Sequence, residues 1–318
     1  MHELIILGAG PAGMTAGVYA ARKQIDTLII SDNVGGQTLW SSDIENYPGF
    51  MYVTGTELVE KFEDHLRHFN LRQEYTRVTK LSKTRKGFHM ETEDMREFES
   101  RMVIVATGKS PRMLNVPGEK EYRGRGVNYC ATCDAPLFAG MEVAVVGGGN
   151  SGLDAAVQLM KITPKVYLIE RTEKLRADEI LQDKVRAAPN VEILLQTAAS
   201  EVTGDVTVNS LAVRHLKSGE RRELPVRGVF VEIGLVPNTD FVNGLLELNE
   251  QKEIPINCAA ETEVPGLFAA GDVTDVPEKQ IVIAAGEGAK AALRAYAYLI
   301  RLPAVPPPAT MRPVAPAS

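Results

Sequence analysis

Apolar positions along this chain fall into short blocks that end in glycine turns, and the same block order occurs twice. Residues 4–7 are apolar on both faces, as expected of a strand buried in a parallel sheet. A glycine turn follows, then a helix-compatible run over 12–23 and a second apolar strand over 27–30, which together make a βαβ unit. The order repeats with a strand over 142–146, another glycine turn, a helix over 151–161 and a strand over 166–169. Between the copies the pattern predicts a helix over 53–69 and two or three strand-like pieces over 75–99. Apolar strands over 103–106, 230–233 and 268–270 each run into a glycine. The expected fold class is α/β with two Rossmann-like units.

Composition narrows the function classes. A chain of 318 residues has room for two domains of ordinary size. Net charge of −6, with no single-sign block, leaves no electrostatic footprint for nucleic acid or an anionic membrane. The first residues, Met1-His2-Glu3-Leu4, lack the basic segment of a signal peptide. Runs such as 102–106 and 143–146 are strand-length, far short of a spanning helix, and Glu287, Lys290 and Arg294 interrupt the longer run over 281–300. Three cysteines are too few for a secreted disulfide framework. A soluble cytoplasmic protein is expected. The segment 303–318 holds six prolines without apolar periodicity and is expected to be disordered.

The chemistry-bearing residues sit at the turns. Gly8-x-Gly10-x-x-Gly13 and Gly147-x-Gly149-x-x-Gly152 each fall between a strand and a helix. There a bare backbone and the helix N-terminus can hold a pyrophosphate. The two copies differ at the end of the next strand, where Ser31 and Glu170 occupy equivalent places. Glu170 can accept from a ribose 2′-OH and repels a 2′-phosphate, which favours NADH at the second turn, although Arg171 and Arg176 lie close by. Between the fingerprints stands Cys130-Ala-Thr-Cys133-Asp134. Zinc would need two further ligands, yet Cys258 is remote and the five histidines have no ligand spacing. A redox dithiol is the leading reading, with Asp134 as proton donor or acceptor or as a helix N-cap, and a buried structural pair as the plainer alternative.

These motifs together resemble the low-molecular-weight thioredoxin reductases over residues 3–302. The carriers are Gly8-Ala-Gly10-Pro11-Ala12-Gly13, Gly35-Gly36-Gln37, Glu45-Asn46-Tyr47-Pro48-Gly49, Ala106-Thr107-Gly108, the CATCD pentapeptide, Gly147-Gly-Gly-Asn150-Ser151-Gly152 and Phe268-Ala-Ala-Gly271-Asp272. The resemblance implies two three-layer Rossmann-like domains, the NAD(P)-binding one inserted into the FAD-binding one. The implied division is 1–114 and 246–302 for FAD and 115–245 for the nicotinamide and CxxC, with 303–318 as the tail. It implies FAD at the first fingerprint, with Asp272 on the ribityl chain and Lys279-Gln280-Ile281 beside the ring. A helix starting near Ile281 would aim its positive end at the reduced flavin. By the same resemblance NADH or NADPH would occupy the second fingerprint. Cys133 would face the flavin and Cys130 the partner, thioredoxin or a similar small dithiol protein, in a homodimer whose inserted domain rotates.

The chain also departs from that pattern. Glu170-Arg171-Thr172 stands where NADPH-dependent members carry His-Arg-Arg, leaving only Arg171 and Arg176 as phosphate-gripping arginines. This resembles the NADH-using flavoprotein component of alkyl hydroperoxide reductase, as do residues 230–239 and 280–289. Ala135 replaces a glycine that usually follows Cys-Asp. Other readings are a glutaredoxin-like or peroxiredoxin-linked partner, ferredoxin as electron donor, or a non-catalytic redox sensor. Arg125 matches a partner-facing position. Trp40, Tyr47, Phe50 and Tyr52 could stack on a cofactor or simply pack. His65 and His68 read as solvated helix positions, and Glu91, Glu93 and Asp94 as a hairpin tip.

Overall fold

In a computed structural model, which describes residues 1–41 and 44–302, the chain forms two lobes. The proline-rich segment lies outside the described residues. The first lobe opens with β1 (His2–Ala9), α1 (Pro11–Arg22) and β2 (Thr27–Val34). After a 3-10 turn come α2 (Gly55–His68), β3 (Arg72–Tyr75), β4 (Val78–Lys83), β5 (Phe88–Thr92) and β6 (Glu97–Val105). β7 (Lys109–Pro111) leads out to β8 (Val127–Asn128), the one-turn helix α3 (Ala131–Asp134), β9 (Val143–Val146), α4 (Asn150–Leu159) and β10 (Val166–Ile169). The second lobe continues with α5 (Glu179–Ala187), β11 (Val191–Leu194), β12 (Thr197–Gly204), β13 (Val208–His215), β14 (Arg221–Leu224) and β15 (Gly228–Val231). β16 (Leu235–Pro237) returns to the first lobe, which ends with β17 (Leu267–Ala269) and α6 (Ile281–Leu299).

The first sheet runs β3-β2-β1-β6-β5-β4, and β17 pairs in parallel with the far end of β6. β6 thus binds the antiparallel β5 through Glu97–Ser100 and the late strand β17 through Val103–Val105, so a segment from beyond the second lobe completes the first sheet. β1 is apolar on both faces because both are covered. Leu4 and Ile6 pack with α1 and α6, while Ile5 and Leu7 pack with Phe88, Met90 and Val273 on the opposite side.

The second lobe repeats this plan. Its parallel sheet, β11-β10-β9-β15-β8, buries Val143 and Val145 against α4, and Ala144 and Val146 against the antiparallel sheet β12-β13-β14. Helices, parallel sheet and antiparallel sheet make three layers. Two short strands join the lobes: β7 pairs antiparallel with β16, and Thr107 and Asn238 exchange hydrogen bonds at 2.8 Å just inside the crossing. Phe241 and Val242 already pack in the first lobe's core, so the chain has re-entered that lobe before residue 245.

Several expected elements shift at their edges. The pieces expected over 75–99 and 103–106 resolve into β4, β5 and one continuous β6. α2 starts at Gly55 because Thr54 and Glu57 form a reciprocal capping box. Asp94 sits at the β5–β6 hairpin tip and accepts from Thr92, Thr76 and Arg96, while Glu91 pairs with Lys80. Ala135 adopts ordinary right-handed angles, so the turn after the cysteines has no need of glycine there.

Candidate active site

The first glycine turn is shaped by three different demands on the backbone. Gly8 has φ +106°, and a Cβ there would lie 2.3 Å from the carbonyl oxygen of Ala106, just past the neighbouring strand β6. A Cβ on Gly13 would lie 1.9 Å from the Gly8 carbonyl oxygen, which explains why α1 can sit so close to β1. Gly10 has nothing within 4 Å of its Cβ position and opens onto a cleft of about 820 Å³. Pro11 begins α1, which has no capping side chain and no acid in its first turn. Its first N–H groups therefore face the cleft without an internal acceptor, as a pyrophosphate requires.

Other segments close the cleft. Ala12 and Ser31 line it; the Ser31 hydroxyl donates to the Asn33 carbonyl at 2.6 Å. Gly36 and Gln37 form another wall, and the Gln37 side chain donates to the Lys109 carbonyl at 2.9 Å. Ala106, Thr107 and Gly108 supply the floor at the end of β6. Gly271 and Asp272 arrive after β17, and Lys279, Gln280 and Ile281 lead into α6, whose first turn is likewise free of caps and acids. Gly13, Gly35 and Asn46 stand behind the lining: the Gly35 N–H donates to the Ala9 carbonyl at 2.7 Å, and Asn46 donates to Gln280 at 3.1 Å. Bare backbone at Gly10 and Gly108 and two uncapped helix ends fit a flavin dinucleotide.

Cys130 and Cys133 are joined as a disulfide that lines this same cleft, together with Asp134. Cys130 is the N-cap of α3, and its sulfur accepts the Cys133 N–H at 3.2 Å. Asp134 closes α3 and is 5% exposed. It makes no side-chain cap to the following 3-10 turn, so its N-cap reading is not realised there. Beside the disulfide, the Arg123 guanidinium stacks 4.5 Å above Trp40, and Trp40 lies 5.9 Å from Tyr129, bringing side chains of both lobes together. Tyr47 packs with Phe50 and Phe62 instead. Arg125 is exposed and donates to the Glu121 carbonyl, and Cys258 is exposed and free.

The second glycine turn repeats the first almost atom for atom but lies off this cleft. Gly147 has φ +136° against the Glu232 carbonyl, Gly152 abuts the Gly147 carbonyl, and Gly149 is open. Asn150 accepts from the Asp178 N–H at 2.8 Å, and Ser151 is exposed in the first turn of α4. Glu170 is 3% exposed. Its carboxylate accepts from the Gly148 N–H at 2.7 Å and from the Thr172 N–H and hydroxyl at 2.8 and 2.9 Å. Burial alone would raise this carboxyl, but the Thr172 and Gly148 bonds and Arg176 outweigh it and hold the group below its ordinary range. Arg176 lies 3.6 Å from Glu170, and both Arg171 and Arg176 are exposed.

Three acidic residues matter in ways that patterning did not reveal. Glu287 is 7% exposed, turned inward from α6, and accepts the Gly271 N–H at 2.8 Å. Glu253 pairs with Lys109, 10% exposed in its side chain, and with Lys279 at 3.5 Å. Burial pushes Asp272 up and Lys279 down, each partly offset by neighbours of opposite charge. Glu232 accepts the Ala131 N–H at 3.2 Å.

Comparison with known proteins agrees with this geometry. The family model of the pyridine nucleotide-disulphide oxidoreductases matches residues 2–288. Thioredoxin reductase from Streptococcus pyogenes is 37% identical with a TM-score of 0.90, over 95% of this chain and 99% of that one. A Pseudomonas putida protein named as a component of alkyl hydroperoxide reductase is 44% identical over 303 residues, covering 94% of this chain and 58% of that protein. A Bacillus subtilis protein named NADH dehydrogenase is 41% identical over 299 residues, with 94% and 59% covered. The chain spans about three fifths of the length of these last two relatives. It belongs to the pyridine nucleotide-disulphide oxidoreductases, a family that uses FAD and NAD(P)H.

Proposed function

We propose that the chain is a thioredoxin reductase-type disulfide reductase. It takes electrons from NADH in preference to NADPH, reduces Cys130–Cys133, and passes the electrons to the disulfide of thioredoxin or a similar small protein. The observation that carries this reading is the disulfide lining the same cleft as the first glycine turn. FAD, when bound, supplies the two-electron chemistry that links a hydride donor to a disulfide.

The chain's own residues divide the remaining work. The α1 end and Gly10 would hold the pyrophosphate and, by family resemblance, Asp272 would hold the ribityl chain with Lys279 beside the ring; all of these line one cleft. Asp134, buried among the cysteines, moves the proton of the thiol that forms there. Cys130, at the N-cap of α3, attacks the partner disulfide through a mixed disulfide, and Cys133 resolves it. By family resemblance two copies assemble as a dimer and the inserted lobe turns on its two-strand link.

Glu170 supports the donor preference. A buried, ionised carboxylate against Gly148 repels a 2′-phosphate while leaving an unphosphorylated ribose acceptable. A peroxiredoxin-linked partner is the second reading, favoured by the relatives named for alkyl hydroperoxide reductase. Steady-state rates with NADH and NADPH, coupled to a panel of thioredoxins, glutaredoxins and peroxiredoxin systems, test both ends. NADH should win by about tenfold, the effect of one unfavourable charge contact. A strong NADPH preference would contradict the donor assignment, and turnover with none of the panel would contradict the acceptor assignment.

A further inference from the structure

We propose that Glu232 is a positioning residue for the cysteine pair: held against the Ala131 N–H, its carboxylate charge sets how readily the reduced pair ionises. This rests on the disulfide reductase reading above. Glu232 directly follows β15, and its Oε1 accepts the N–H of Ala131, the residue after Cys130 and the first of α3, at 3.2 Å. The Cys133 N–H is taken by the Cys130 sulfur at 3.2 Å. A carboxylate and a sulfur therefore share the donors at this end of α3. The Glu232 main-chain carbonyl also lies where a Cβ on Gly147 would be 2.2 Å away. One residue thus touches both the cysteine turn and the nicotinamide turn.

The charged groups acting on Glu232 are Asp134 from α3 and Asp154 from α4, both acidic. Burial pushes the Glu232 carboxyl up to about 7; the Ala131 N–H opposes this and Asp134 and Asp154 reinforce it. A thiolate forming on the same turn adds another negative charge to the neighbourhood. Thiolate and carboxylate disfavour one another, so the proton moves between them. Two electrons and two protons convert the disulfide and the Glu232 carboxylate into one thiol, one thiolate and a protonated Glu232. The carboxyl holds the second proton while the thiolate waits for its partner.

The test uses flavin-containing protein reduced with excess dithiothreitol under argon. Iodoacetamide alkylation is followed from about pH 5 to 10 at each cysteine by peptide mass spectrometry. Glu232→Gln keeps an acceptor oxygen for Ala131 and removes the charge. The midpoint for Cys130 should fall by about one pH unit, the usual effect of removing one nearby like charge. Below the midpoint, alkylation should then be about tenfold faster. Exposed Cys258 serves as the internal control and should keep its profile. Should Glu232→Gln not accumulate as folded protein, Glu232→Ala should move the midpoint in the same direction. A merely structural Glu232 predicts a profile for Glu232→Gln that overlies the native one, and that result, or an upward shift, overturns the proposal. Absence of any dithiothreitol-dependent alkylation at Cys130 and Cys133 in the native chain would instead remove the reductase reading, and the proposal with it.

Discussion

The two glycine turns use one backbone device with two different chemical settings. In both, the first glycine adopts positive φ against the carbonyl that follows the neighbouring parallel strand, the second faces open space, and the third lets a helix rest on the turn. They diverge at the middle residue and at the end of the next strand. The first turn has Ala9 with Ser31, whose short side chain bends toward Asn33. The second has Gly148 with Glu170, and a Cβ on Gly148 would fall 2.5 Å from the Glu170 carboxylate. The middle residue and the strand-end residue are matched: a long acid folded back onto the turn requires a glycine beneath it. The two lobes thus share one backbone turn, and what distinguishes the second is one buried carboxylate, Glu170, to which the proposed NADH preference is assigned.

The sharpest way to break this equivalence is to damage the same position in each turn. Gly13→Ala and Gly152→Ala both place a methyl 1.9 Å from a carbonyl oxygen. Overpacking of this kind costs about 1–3 kcal/mol, so cofactor affinity at each turn should fall by roughly ten- to a hundredfold. Gly13→Ala should purify with little flavin. Gly152→Ala should keep its yellow colour yet lose rapid bleaching by NADH. Flavin absorbance per chain and anaerobic reduction rates measure the two, and the same phenotype in both variants would contradict separate roles.

A smaller effect probes the divergence itself. Glu170→Ser should raise the NADPH-to-NADH ratio of kcat/KM by about tenfold, the worth of one charge contact. Gly148→Ala should impair NADH use in the native chain and much less alongside Glu170→Ser, because the clash then disappears. Additive effects in that cycle would show that the two positions are not matched.

Smallest of all is a stability difference confined to the second lobe. Arg222 and Lys165 hold Glu192, on the edge strand β11, down to about 2. Its folded value lies below the unfolded one, so its contribution is present above about pH 4.5 and is lost as pH falls toward 2. Glu192→Gln should cost under about 1 kcal/mol at neutral pH, since the pair is partly exposed, and the cost should vanish in acid. Thermal melts across pH would reveal it.

Much of this fold and site is legible from the chain alone, for identifiable reasons. Doubly buried strands such as β1 and β9 have apolar residues on both faces, and each glycine turn is written within six consecutive positions, so local pattern suffices. What local pattern does not reveal depends on contacts between distant segments. Lys109 meets Glu253 across 144 residues and Ala131 meets Glu232 across 101. Glu287 reads as a polar interruption of an amphipathic helix, but it is buried because Gly271 offers it an N–H. The sheet β12-β13-β14 gives no clear signal because its strands are half exposed and rich in polar residues.

The central claim is that the first turn holds a flavin that exchanges electrons with Cys130–Cys133. Anaerobic titration of the oxidised, flavin-containing protein with dithionite addresses it directly. Four electrons should be taken up per flavin, two for the ring and two for the disulfide, falling to two in a Cys130→Ser, Cys133→Ser double variant. Uptake of only two electrons by the native chain would contradict the account.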